Sequence, residues 1–191
     1  MADVLLFHHA HGLTPGVEAL AAVLRGEGHT VAVPDLFDGR TFDDLASGVA
    51  HAEEVGFGTI LDRGAKAAEG LPDRLAVVGL SLGVLPAQRL AQTRPGVTGA
   101  VLVASCVPPA EFGTPWPDGV PVQVHGMDAD PIFVGEGDLE AARALVAEAA
   151  DGELFLYPGD RHVFVDASLP AHDPAAARLF TDRLLAFLAD R

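Results

Sequence analysis

Three positions are best placed to do chemistry: Ser81, an aspartate at either Asp130 or Asp128, and His162. Ser81 is the centre of Gly79-Leu80-Ser81-Leu82-Gly83, a G-x-S-x-G segment. An apolar run, Leu75–Val78, precedes it, and a helix-like stretch to Arg94 comes after it. In that strand–turn–helix setting the segment becomes a nucleophile elbow. The turn strains the serine backbone and exposes its hydroxyl, and the glycines avoid collision with the adjoining strand and helix. A serine hydroxyl is a poor nucleophile at neutral pH and needs a base to take its proton. An imidazole does this and then protonates the leaving group. A carboxylate fixes the imidazole tautomer and stabilises its cation. The motif alone is weak in a chain with 21 glycines, and a serine after a strand also serves as a helix cap. Two segments nearer the C-terminus give it weight. Asp128 and Asp130 stand in His125-Gly126-Met127-Asp128-Ala129-Asp130-Pro131, and His162 stands in Pro158-Gly159-Asp160-Arg161-His162-Val163-Phe164. Each segment comes directly after a further apolar run.

Those runs are the elements that must position the three residues. They are Val4–Phe7, Thr30–Val33, Leu75–Val78, Ala100–Ala104, Val120–Val124 and Glu153–Tyr157. Most are continuously apolar, as parallel strands covered on both faces are. Helical patterns lie between them. Thr14 caps a helix with Pro15 in its first position, and Val17, Leu20, Ala21 and Leu24 form one face. Thr41 caps a second helix, which Gly56 and Gly58 split. A third starts at Leu82. A fourth carries Leu139, Ala142, Leu145 and Val146 on one side. Asp173 caps the last, with Pro174 next and Phe180, Leu184, Phe187 and Leu188 inward. This alternation predicts an α/β fold, a doubly wound, mostly parallel sheet of six or seven strands with helices on both faces. In such sheets ligands bind beyond the carboxyl ends of the strands. All three candidates fall on loops at that end.

Length and charge set the remaining bounds. A chain of 191 residues suits one domain, 1–191, with a sizeable core. The formal charge is −15, which disfavours nucleic acid and anionic membranes as partners. Cys106 is the only cysteine, so no intramolecular disulfide forms, and its apolar context marks a small buried side chain. No secretory pattern opens the chain and no run reaches the ~20 residues of a membrane span. The expected location is the cytoplasm. Val107–Gly119 reads as a loop within the domain, with Trp116 as a pocket wall or a buried anchor.

With these pieces in view, the chain resembles the dienelactone hydrolases of the α/β-hydrolase superfamily over nearly its whole length. The matching segments are His11-Gly12-Leu13, Pro34-Asp35-Leu36, the Gly79–Gly83 elbow, Gly126…Asp130-Pro131 and His162-Val163-Phe164. The resemblance implies Ser81 as nucleophile, His162 as base and Asp130, rather than Asp128, as the orienting acid. It implies an oxyanion hole of two backbone N–H groups, from Leu82 and from Ala10, with Leu13 as the alternative to Ala10. Two departures matter. The dienelactone hydrolases proper carry cysteine at the elbow centre and a glutamate in the loop after the first strand. Here the elbow holds serine, and His9 stands near the place of that glutamate. The arginine that such enzymes place shortly after the base is missing from Val163–Ser168. The expected substrate is therefore a small carboxylic ester or lactone rather than dienelactone itself. An acyltransferase with the same triad, or a non-catalytic ligand- or partner-binding protein of this fold, are the competing readings.

The histidines His8, His9 and His11 are expected to line the site's rim rather than bind metal, because adjacent strand residues point to opposite faces. His125 reads as structural, and His51 and His172 as solvent-facing. No metal or cofactor is expected.

Overall fold

Residues 1–191 are described by a computed structural model. The six apolar runs become six strands: β1 Asp3–Phe7, β2 Thr30–Ala32, β3 Leu75–Leu80, β4 Val97–Val103, β5 Val122–Met127 and β6 Gly152–Tyr157. All pair in parallel, in the order β2-β1-β3-β4-β5-β6. The fold is α/β. Between β1 and β3 the strand order reverses direction, and there the loops after neighbouring strands open a crevice.

Strand alternation explains why the runs are apolar throughout. Leu5, Phe7, Leu75, Val77, Ala100 and Leu102 point into one core layer, with Ile60, Ala87 and Leu145 from the helices. Val4, Leu6, Ala76, Val78, Val101 and Val103 point into the other, against Leu20, Leu24, Phe180 and Leu184. With both faces covered, a polar residue at either parity is buried and needs a partner, as Gln123 and His125 of β5 find in Glu153 and Tyr157.

The helices are α1 Pro15–Gly26, α2 Leu45–Val55, α3 Phe57–Ala67, α4 Val84–Thr93, α5 Pro131–Gly135, α6 Asp138–Glu148 and α7 Pro174–Ala189. Thr14 caps α1 by accepting from the Val17 N–H, and Asp173 caps α7 by accepting from the Ala175 and Ala176 N–H groups. Gly56, at φ 87°, separates α2 from α3, whereas Gly58 lies inside α3. Three expectations change. The cap of α2 is Asp44, not Thr41: its carboxylate accepts from the Ser47 N–H at 2.8 Å and the Ser47 hydroxyl at 2.8 Å. Residues 40–42 are engaged elsewhere, with the Phe42 N–H donating to the His11 carbonyl. The helix after the elbow starts at Val84, because Ser81–Gly83 form a single 3-10 turn first. The short α5, capped by Asp130, has no counterpart among the expected helices.

His51 also departs from expectation. It is 9% exposed, with its ring 4.9 Å from that of Phe37 and 5.2 Å from that of Phe42. These aromatics come from the loop after β2 and fold over the α2 face. His172 is half-buried. Trp116 is a buried anchor in the core layer of Leu102 and Phe133, and its indole N–H donates to the Val120 carbonyl at 2.7 Å. Burial pushes the Cys106 thiol up to about 12, so it stays unreactive at neutral pH. No helix is long and apolar enough to cross a membrane.

The cap correction has a direct check. Removing an N-cap acceptor costs helix stability. Asp44→Ala is expected to lower Tm by roughly 2–4 °C in a thermal melt, while Thr41→Ala leaves it unchanged. The reverse order would return the cap to Thr41.

Candidate active site

The elbow is built by contact as much as by conformation. Ser81 has φ 48°, in the left-handed region that few non-glycine residues adopt. Two close approaches hold it there. A Cβ on Gly79 would lie 2.5 Å from the Gly83 carbonyl oxygen and 2.6 Å from the Val84 Cα. A Cβ on Gly83 would lie 2.5 Å from the Phe7 carbonyl oxygen and 2.6 Å from that of His8. The first glycine lets the turn fold back on its own strand. The second presses the turn against the end of β1. The result is a half-buried Ser81 above the β1–β3 crevice.

Two other loops reach it. His162, after β6, places Nε2 2.8 Å from Ser81 Oγ. Its Nδ1 lies 2.7 Å from Asp130 Oδ2. Asp130 is fully buried, and its other oxygen accepts from the Ile132 N–H at 2.9 Å. Capping α5 therefore fixes the carboxylate that faces the imidazole, at the positive end of that short helix. Asp128 is exposed and accepts from the Gly159 N–H at 3.0 Å, with no contact to His162. The structure thus joins Ser81, His162 and Asp130 and leaves Asp128 outside. Leu82 follows Ser81 at the start of the turn. Ala10 is 1% exposed in the loop after β1, and its N–H donates to no atom of the chain. Leu13 is half-buried.

This fold agrees with known proteins. The model of the dienelactone hydrolase family matches residues 2–191. The chain belongs to the dienelactone hydrolase family. Its members are hydrolases, and solved structures repeat the fold. A Klebsiella pneumoniae protein assigned as a dienelactone hydrolase superposes with a TM-score of 0.77 at 21% identity, covering 100% of this chain and 88% of its own. A dienelactone hydrolase-like promiscuous phosphotriesterase from metagenomic libraries gives 0.70 at 16% identity, covering 100% and 86%. Dienelactone hydrolase from Anabaena variabilis gives 0.67 at 19% identity, covering 98% and 87%. None of the curated proteins compared with the chain matches it.

In this member of the dienelactone hydrolase family the β1 loop carries three histidines. The three histidines expected on the rim are buried: His8 and His9 are fully enclosed and His11 is 8% exposed. Each has separate work. His8 Nδ1–H donates to the His9 carbonyl at 2.7 Å, and its Nε2 accepts from the Leu36 N–H at 2.9 Å. A His11 ring nitrogen meets the Phe42 carbonyl at 3.0 Å. His9 Nε2 lies 2.7 Å from Asp166 Oδ2, and both side chains are fully buried. No group of three or more metal-ligating side chains converges anywhere in the chain.

Asp166 carries no signal in the sequence, yet its carboxylate is the most heavily bonded in the site. It accepts from His9, from the Thr14 hydroxyl, and from both the N–H and hydroxyl of Ser168. Burial alone would raise its pKa, but the bonds from His9, Ser168 and Thr14 hold it well below the usual carboxylate range. An ionised Asp166 can only accept, so His9 Nε2 carries the proton. That leaves His9 Nδ1 as a bare acceptor, buried and without a partner. Such an atom costs about 1–3 kcal/mol.

Three buried histidines make the fold acid-sensitive. Burial lowers His8 to about 4 and His125 to about 3, and it lowers His9 as well. His125 sits between the Tyr157 hydroxyl and the Gln123 amide. The folded-state values lie below the unfolded value of 6.5, so the unfolded chain takes up the protons first. Stability is intact above about pH 6.5 and falls as pH drops toward about 4. Each histidine contributes a slope of about 1.4 kcal/mol per pH unit within its window. Urea unfolding at about pH 7.5, 6, 5 and 4.5 is expected to show this loss, steepest below about pH 6. A flat profile across that range would contradict the buried neutral histidines.

Proposed function

We propose that this chain is a serine hydrolase of uncharged carboxylic esters or lactones, acting through a covalent acyl-enzyme. The observation that supports it most is the unbroken line from Ser81 Oγ through the His162 ring to Asp130, with contacts of 2.8 and 2.7 Å. In the reaction Ser81 Oγ attacks the substrate carbonyl carbon as its proton passes to His162 Nε2. The N–H groups of Leu82 and Ala10 receive the developing oxyanion. Asp130 accepts from His162 Nδ1–H and stabilises the imidazolium. The carbon–oxygen bond to the leaving group breaks, and His162 returns its proton to that oxygen. Water, deprotonated by His162, then attacks the acyl-enzyme, and Ser81 leaves with the proton.

Two features favour an uncharged ester. The formal charge of −15 repels anions. No arginine lies in Val163–Ser168, and Arg161, just before the base, donates to the His172 carbonyl instead.

Turnover of p-nitrophenyl acetate and butyrate tests the reading. Ser81→Ala is expected to lower kcat by about 10⁴-fold or more, and to abolish labelling by a fluorophosphonate. Asp130→Asn is expected to lose about 10³- to 10⁴-fold, while Asp128→Asn stays within about twofold of wild type. Equal rates for wild type and Ser81→Ala would end the proposal. A larger loss from Asp128→Asn than from Asp130→Asn would move the acid.

A further inference from the structure

Outside the line of Ser81, His162 and Asp130, the molecule holds a second buried histidine–carboxylate pair. His9 belongs to the loop after β1, and Asp166 to the loop that carries the base. Both are fully enclosed and 2.7 Å apart. The pair binds together the two loops that flank the nucleophile.

Each partner adjoins a group the chemistry needs. His9 is bonded in sequence to Ala10, whose buried N–H has no acceptor in the chain. Asp166 closes a turn onto the base: its N–H donates to the Val163 carbonyl at 3.1 Å. Val163 itself has φ 55°, a conformation that a β-branched residue adopts only under constraint. The Asp166 carboxylate also reaches Thr14 and Ser168, and the Gly16 N–H donates to Ser168 Oγ at 3.1 Å. The two loops are thus riveted at one buried anion. The unpartnered His9 Nδ1 makes the geometry directional. The ring is held through Nε2 alone, so Asp166 sets its placement. The other titratable rings near His9 are His8, next to it in sequence, His11, edge-on at 5.2 Å, and His162.

We propose that His9 and Asp166 are positioning residues that set the Ala10 N–H and the His162 ring at a fixed separation, so that oxyanion and imidazolium are stabilised together. The proposal rests on the reading of Ser81 as nucleophile. It makes His9 part of catalysis without contact to substrate. It also separates donor chemistry from bulk. Glutamine can present an amide N–H near the position of Nε2 and keep the bond to Asp166, whereas leucine fills similar space without a donor.

The test compares wild type, His9→Gln, His9→Leu and Asp166→Asn in the full chain, with rates normalised to fluorophosphonate-titrated active sites. Substrates are p-nitrophenyl esters, and a short alkyl boronic acid serves as the tetrahedral analogue. His9→Leu and Asp166→Asn are expected to lower kcat by about 10- to 100-fold with KM changed less than about twofold. Boronate affinity is expected to fall by the same factor as kcat. His9→Gln is expected to stay within about threefold of wild type. A role in packing alone predicts a lower Tm and fewer titratable sites, with kcat per site and boronate affinity unchanged, and that result overturns the proposal. So does a ranking by side-chain size, with glutamine no better than leucine. Should His9→Leu and Asp166→Asn both fail to fold, Thr14→Val removes one donor from the same carboxylate oxygen. A graded loss of about threefold in kcat and boronate affinity is then expected, and no loss overturns the proposal. If wild type neither turns over ester nor takes the fluorophosphonate, the reading of Ser81 falls. If wild type is active and the variants match it, the positioning role alone falls.

Discussion

The contact between Gly83 and the end of β1 governs the rest of the site. With no side chain on Gly83, the 3-10 turn lies against the Phe7 and His8 carbonyls. That approach sets Ser81 beside the loop that carries Ala10. A methyl group there would force the β3 turn away from β1 and part the serine from a backbone donor. The strain at Ser81 is held by the same packing, since β1 and β3 are hydrogen-bonded neighbours with Phe7 opposite Gly79. The fold's stability is thus used to keep one residue in a conformation it would not choose.

How much of this could be read from the chain depends on whether the cause is local. Strands were legible because both-sided burial makes the runs apolar, whatever the tertiary partners. The elbow was legible because its glycines sit at fixed spacing around the serine, after a buried run. That His162 and an aspartate at 128 or 130 share one end of the sheet was legible because strand ends carry the ligand loops, whereas the preference for Asp130 came from the family resemblance. The α2 cap was not, since Thr41 and Asp44 are both cap-type residues. The choice is made by the Phe42 N–H, which is bound to the His11 carbonyl in a distant loop. His51 was misread for the same reason: the rings that bury it come from a loop beyond β2. Asp166 is the clearest case. Nothing in Val163–Ser168 marks it, because its donors His9 and Thr14 lie 157 and 152 positions away.

Two carboxylates in the molecule have opposite settings and complementary tasks. Asp130 faces a half-buried histidine from the end of a short helix, where the proposed reaction would place a transient imidazolium. Asp166 faces a histidine whose burial disfavours the cation, and it is surrounded by hydroxyl and amide donors. The first environment accommodates a transient positive charge beside it. The second resists one. In the proposed mechanism a neutral His9 adds no repulsion when His162 takes the proton of Ser81, so the crowding of histidines around the crevice does not oppose that step.

The sheet order has a consequence for how the protein comes into being. The base is carried by the loop after β6, which is both the last strand in the chain and an edge of the sheet. Ser81 and His162 are 81 positions apart. During synthesis the first five strands can pair and shape the elbow while the imidazole is still unmade. A nascent or truncated chain that stops short of β6 then holds a strained serine with no proton acceptor. On the proposed reading, reactivity waits for the final strand to dock, so the order of strands would keep an incomplete molecule from acting on esters around it.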